Sequence, residues 1–222
     1  MEFGGKEIVM ASHDILRGDI QDHVSIAVAA LKDGFVIIAP LENSYALMAD
    51  AFFHDAVRAM HVLRGDELGV AAQVVIANKT SIDGIARSIS DDARILMDNF
   101  WPGALSINLK PQLGLSWDLG DANSLDQISV RVPSAQFILE VLKKTGPLAI
   151  ASTAVVGALP IRDGADLDFS DVEVAAVFTA GVLPEGAPST VIDFTGSHGL
   201  LVREGAIPRS EITALVSDIF GE

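Results

Sequence analysis

Short apolar runs alternate with helix-spaced apolar patterns along nearly the whole chain, and no other feature constrains the fold as strongly. "FVIIA", "AAQVVIAN", "ALSINLK", "QISVRVP" and "GPLAIAST" each read as a short buried strand. Val24, Ile26, Ala27, Ala30 and Leu31 recur at helical spacing before Asp33-Gly34, so residues 22–33 are predicted to form a helix. Pro40 is expected to end the strand "FVIIA", with turn-rich "LENS" after it. The stripe Ala56, Val57, Met60 and Leu63 then predicts a second helix that stops near Gly65. A third helix is expected from about Asp91 to Asn99, broken by "WPG", and a fourth from Pro133-Ser134 to Lys144. "EVAAVFTAG", "STVIDFT" and "GLLVREG" supply further strands, and Pro208 and Ser210 open a closing helix. No repeat or linker interrupts the chain, so the pattern predicts one α/β domain over residues 1–222 with a mixed sheet.

Composition narrows the function more than the fold. Thirty acidic residues against 15 basic ones give a formal charge of -15, which repels phosphate backbones and anionic lipid and argues against tight nucleic-acid binding. No cysteine occurs, which removes disulfides, thiolate metal sites and cysteine nucleophiles together. The N-terminal "MEFGGKEIVMASHD" lacks the basic and apolar regions of a secretory signal, and no run of 18 apolar residues appears; a cytoplasmic protein without membrane contact is expected. Phosphate-loop, dinucleotide-fingerprint, H-E-x-x-H and G-x-S-x-G motifs are all missing. His54 and His61 could share a helix face, but without a third ligand no metal site is expected.

The anchors "APLENSYALMADA", "FWPGALSINL", "VRVP", "GPLAIAST", "APSTVIDFTG" and "LLVREGAI" resemble, in order and spacing, the YrdC-like threonylcarbamoyl-adenylate synthase family. The resemblance runs from about Gly34 to Ile207 and leaves residues 1–21 outside it. It implies an open, twisted mixed sheet with flanking helices around a concave nucleotide-binding cleft. It implies also that ATP, threonine and bicarbonate, with Mg²⁺, become threonylcarbamoyl-AMP and pyrophosphate, and that a protein partner uses the product to modify adenosine 37 of certain tRNAs. Such chemistry gathers carboxylates and a triphosphate in one place, so cations must offset their repulsion and hydroxyl or amide donors must fix the phosphates.

Carried over residue by residue, the resemblance implies catalytic roles for Arg64 and Ser152. Ser152, Ser189, Thr190, Arg203 and Arg131 fall on its nucleotide-facing positions. Arg131 and Arg203 would serve equally well as strand-end salt-bridge partners, and Ser152 and Ser189 as backbone caps. Glu42 could bind a cation or a donor, or cap a turn, and Tyr45 is placed in the cleft wall. Pro102-Gly103 and Pro133 read as architectural.

Six positions depart from the family pattern. Leu41 and Asn43 stand where it has threonines, and Ala46 and Met48 where it has glycines, so Met48 is expected to fill part of the pocket. Asp66 stands where the K-x-R motif has its arginine; a carboxylate about 5 Å from a phosphate would cost ~3 kcal/mol at an effective dielectric near 20. Ala154 replaces the asparagine of S-x-N. The alternative to an active synthase is therefore a degenerate paralogue, a nucleotide-binding or protein-interaction module. The loop from Pro111 to Asp126 is long enough to cover the cleft.

Overall fold

The computed structural model describes residues 11–122, 124–169 and 174–221. Its helices are α1 (Ile20–Lys32), α2 (His54–Arg64), α3 (Ile82–Ile85), α4 (Asp91–Phe100), α5 (Gln136–Thr145) and α6 (Arg209–Leu215). The strands up to the middle of the chain are β1 (Ala11–Asp14), β2 (Val36–Pro40), β3 (Tyr45–Asp50), β4 (Gln73–Val75), β5 (Ala86–Arg87) and β6 (Leu105–Pro111). After them come β7 (Ile128–Arg131), β8 (Leu148–Ser152), β9 (Val174–Thr179), β10 (Thr190–Asp193) and β11 (Leu200–Arg203). Among the described residues no helix is long and apolar enough to cross a membrane.

The strands form one mixed sheet in the order β1-β9-β2-β3-β8-β4-β7-β6-β10-β11, with β5 on the end of β6. Inside it, β3 runs antiparallel to both of its neighbours, β2 and β8. The pattern predicts no strand there, because "YALMAD" has neither alternation nor a β-branched residue. All six of its residues are buried, as expected of a strand covered on both faces.

Two apolar clusters lie on opposite faces. On one, Val24 and Leu31 of α1 and Phe137 and Val141 of α5 pack over Ile37, Met48, Ile150 and Phe178. On the other, Val57 and Met60 of α2 and Leu96 of α4 pack over Ile38, Leu47, Val74 and Ile107. The α1 stripe forms where its spacing predicts it, started by the Asp19 side chain, which accepts from Gln21 N. Helix α2 stops at Gly65, whose left-handed φ of 72° turns the chain back so that Asp66 N donates to His61 O.

The loop from Pro111 to Asp126 does not cover a cleft. It lies along α2: His54 Nε2 meets Ser116 O at 2.7 Å, Trp117 packs edge-on against Phe52, and His61 Nε2 meets Leu119 O at 2.8 Å. Gly120 is what lets it come so close, since a Cβ there would collide with the His61 ring. Residue 123 of this loop lies outside the described residues.

Candidate active site

Beyond the reach of α1 and α5, the sheet face they cover turns polar. Gln73 is paired in register with Ile150, and Arg131 with Val75, so both point to this side; Ser106 and Ser129 join them by the same alternation. A cavity of about 460 Å³ opens there, lined among others by Leu41, Ala46, Gln73, Ile150, Ser152, Ala154 and Ser189. Arg64 from the end of α2, Arg131 from β7 and Arg203 from β11 reach the same cavity from three directions.

One end is a hydrogen-bonded chain. Gln73 Nε2 donates to Ser106 Oγ at 2.7 Å and to Ser129 Oγ at 3.3 Å, and Ser106 Oγ donates to Ser189 Oγ at 2.8 Å. Arg203 donates from Nη2 to Ser189 Oγ and from Nε to Ser189 O, each at 3.0 Å. Ser189 Oγ thus accepts twice and keeps its own hydrogen for a group in the cavity. Ser152 Oγ accepts from Ala154 N at 3.1 Å and keeps its hydrogen in the same way. Both serines therefore cap backbone or orient an arginine while still facing the cavity, so the two roles open to them are compatible.

The cations carry the electrostatics. Arg131 Nη2 donates to Glu42 Oε2 at 2.9 Å, while Glu42 Oε1 accepts from Ser134 N at 2.7 Å. Burial alone would raise the Glu42 pKa, but the Arg131 charge and the Ser134 N–H outweigh it and hold the carboxyl below its ordinary value. Burial, and next the nearby charge of Arg131, pull the Arg203 guanidinium below its usual value. Arg64 Nε and Arg131 Nε are buried with no partner among the described residues. Two guanidiniums close enough to disfavour each other, with buried N–H groups unspent, make a site for a polyanion.

Several sequence-based expectations require correction. Thr190 is paired in register with Leu105, on the far face, and is fully buried. Its hydroxyl donates to Ile207 O and accepts from Gly205 N and Ile207 N, so it braces the turn after β11 and does not reach the cavity. Tyr45 also points to the far face: its hydroxyl donates to Gly181 O at 2.7 Å and accepts from Ala180 N at 2.9 Å, tying down the chain after β9. Met48 is fully buried beneath α1 and α5 and leaves the cavity unfilled. Asn43 Nδ2 donates to Ala187 O, holding the segment before Ser189.

Asp66 does not face the cavity either. Its side chain is 1% exposed; Oδ2 lies 2.7 Å from His61 Nδ1 and Oδ1 lies 3.4 Å from Arg64 Nη1. The repulsion expected of a carboxylate beside a phosphate is thus removed by burial and by pairing. Only Leu41 and Ala154, of the residues that depart from the family pattern toward lost polarity, line the cavity. Gln73 and Ser106 belong to the site without having been singled out; Gln73 lies in no motif, Ser106 lies within the anchor "FWPGALSINL", and the signal each offers is a polar residue at an alternate position in a largely apolar strand.

Comparison with known proteins places the chain. The sequence profile of the Sua5/YciO/YrdC family, described as "Telomere recombination", matches residues 29–205. A Mycobacterium tuberculosis protein, by name a candidate threonylcarbamoyl-AMP synthase, is 33% identical over 192 residues, 86% of this chain and 87% of that protein. The threonylcarbamoyl-AMP synthase of Bacillus subtilis is 27% identical over 200 residues, 88% of this chain and 57% of that protein. In fold, the chain is similar to P. abyssi Sua5 solved with L-threonine, with a TM-score of 0.83 at 24% identity over 95% of this chain and 62% of that one.

Proposed function

The chain belongs to the Sua5/YciO/YrdC family, and from that premise we propose that it is a threonylcarbamoyl-AMP synthase, joining threonine, bicarbonate and ATP with release of pyrophosphate. The observation that carries this reading is the convergence of Arg64, Arg131 and Arg203 on one cavity. Bicarbonate and the threonine amine form a carbamate with loss of water. A carbamate oxygen then bonds to the α-phosphorus of ATP as the bond to the β-phosphate oxygen breaks, and pyrophosphate leaves with that electron pair. Every reactant except the amine is an anion, so the reaction needs the charge these arginines supply.

In this reading Arg203, Arg131 and Ser189 hold the nucleotide phosphates, Ser152 donates from its free hydroxyl, and Arg64 offsets charge where the carboxylate and phosphate meet. Thr190 acts at one remove, by fixing the turn that presents Arg203. The unpartnered Nε–H groups of Arg64 and Arg131 and a volume of about 460 Å³ fit ATP. Magnesium has no protein cage to enter: among the described residues no group of three or more His, Asp or Glu could hold it, and Glu42 is engaged by Arg131. Any Mg²⁺ would come with the triphosphate. Transfer of the product to a partner that modifies adenosine 37 of tRNA, and residence in the cytoplasm, belong to the same proposal.

The alternative, an inactive nucleotide-binding or protein-interaction module, rested on Leu41, Met48, Asp66 and Ala154 together. Met48 and Asp66 point away from the cavity, and the argument for lost function shrinks accordingly. The test is to incubate the chain with ATP, Mg²⁺, threonine and bicarbonate and to look for threonylcarbamoyl-AMP by mass spectrometry. Product that vanishes without threonine is expected; ATP binding without product would move the protein to the alternative.

A further inference from the structure

We infer that Asp66 is a positioning residue for Arg64, itself held by His61, and that this triad sets the guanidinium toward the cavity. The inference rests on the synthase reading for what Arg64 acts upon. Its geometry stands apart from that reading.

Arg64 sits in the last turn of α2, where nothing in the helix fixes a long, four-torsion side chain. What fixes it is Asp66, whose Oδ1 lies 3.4 Å from Arg64 Nη1 on the side away from the cavity. The left-handed turn at Gly65 makes this reach possible by folding the chain back under the helix end. Asp66 is held in turn at Oδ2 by His61 Nδ1, 2.7 Å away. The other ring nitrogen, Nε2, faces Leu119 O at 2.8 Å. Both ring nitrogens are thus engaged, one by the carboxylate and one by the backbone carbonyl, and the imidazole is held in place from two sides.

The carboxylate therefore lies between the Arg64 guanidinium and the His61 ring. Leu119 O also accepts from Ala72 N at 2.7 Å, the residue before Gln73, so the triad is anchored to the strand that carries the opposite end of the cavity. One Nη of Arg64 is turned toward Asp66, Nε is buried with no partner among the described residues, and the side chain lines the cavity. An arginine at position 66 would bind an anion directly. Here an acidic residue does the complementary work of orienting the cation that remains.

A double-mutant cycle on ATP affinity decides the matter, with Arg64→Ala, Asp66→Asn and the pair measured by calorimetry on folded protein. Asp66→Asn alone is expected to raise the Kd for ATP by about tenfold, and by less than about twofold in the Arg64→Ala background. Asp66→Glu, which keeps the carboxylate, should recover most of the affinity. If Asp66→Asn fails to fold, His61→Gln takes its place in the cycle with the same pattern expected. Equal losses in both backgrounds, as a merely structural role would give, or no loss at all, would overturn the inference. Should the unmodified chain bind ATP yet make no threonylcarbamoyl-AMP, the synthase reading falls while the cycle still decides the role of Asp66. No measurable ATP binding by the unmodified chain would overturn both.

Discussion

The two ends of the cavity solve the same electrostatic problem by different means. At one end, Gln73, Ser106, Ser189 and Arg203 form an unbroken hydrogen-bonded chain on or beside sheet strands, with no acidic side chain in it. At the other, Arg64 stands at a helix end, balanced by a buried Asp66, with Leu41 and Ala154 in place of polar groups. The strand-borne end is positioned by register, and losing one member leaves the rest in place. The helix-end site is positioned by a single carboxylate, so its geometry depends on one ion pair.

If that contrast holds, the largest loss should come from the strand-borne end. Arg203→Ala removes a cation, while Ser106 still holds Ser189 Oγ; pyrophosphate-release kinetics should show kcat/KM falling about a hundred- to a thousandfold, with the unfolding midpoint almost unchanged. A fall of less than tenfold would put the working charge at Arg64 and reverse the comparison.

Next in size is Glu42→Gln, which leaves Arg131, only 7% exposed at its side chain, without its counter-charge. Urea unfolding should register a loss of about 3 kcal/mol. The Glu42 carboxyl has a folded pKa below its unfolded one, so its contribution is present above the unfolded pKa and disappears as pH falls through the folded pKa. The gap between wild type and Glu42→Gln should therefore close toward acid pH. A gap that stayed constant would mean the pair adds nothing through charge.

Met48→Ala sharpens the comparison from the other side. It should cost about 2–3 kcal/mol of stability by opening a hole beneath α1 and α5 and leave the KM for ATP and threonine as it was. A lowered KM would show that Met48 crowds the cavity after all. The smallest effect belongs to Gly65→Ala, about 1 kcal/mol, because nothing lies within 4 Å of the added Cβ and only the left-handed backbone resists it.

How far these residues were legible in the sequence depends on which physical signal placed them. Helices α1, α2, α4 and α5 follow apolar spacing and capping, which are local, and they lie within a few residues of where spacing puts them. Strand β3 escaped because burial on both faces erases the alternation that marks a strand and, unlike the equally buried β2, it has no β-branched residue to mark it instead. The arginines and serines of the site could be placed through the order of anchors. Whether each faces the cavity could not, because a strand's facing depends on register: one residue separates Ser189, in the site, from Thr190, buried behind it. Asp66 shows the same limit for helix ends. Its charge is plain in "RGDE", whereas its direction is set by Gly65 and by a histidine five residues earlier.

The central claim, that the cavity still works as a synthase with Leu41, Asp66 and Ala154 in place, is tested most directly by the steady-state rate of pyrophosphate release from ATP as threonine is titrated in bicarbonate. A saturable dependence on threonine that disappears when bicarbonate is withheld is the expected result. Pyrophosphate release that is absent, or indifferent to threonine, would contradict it.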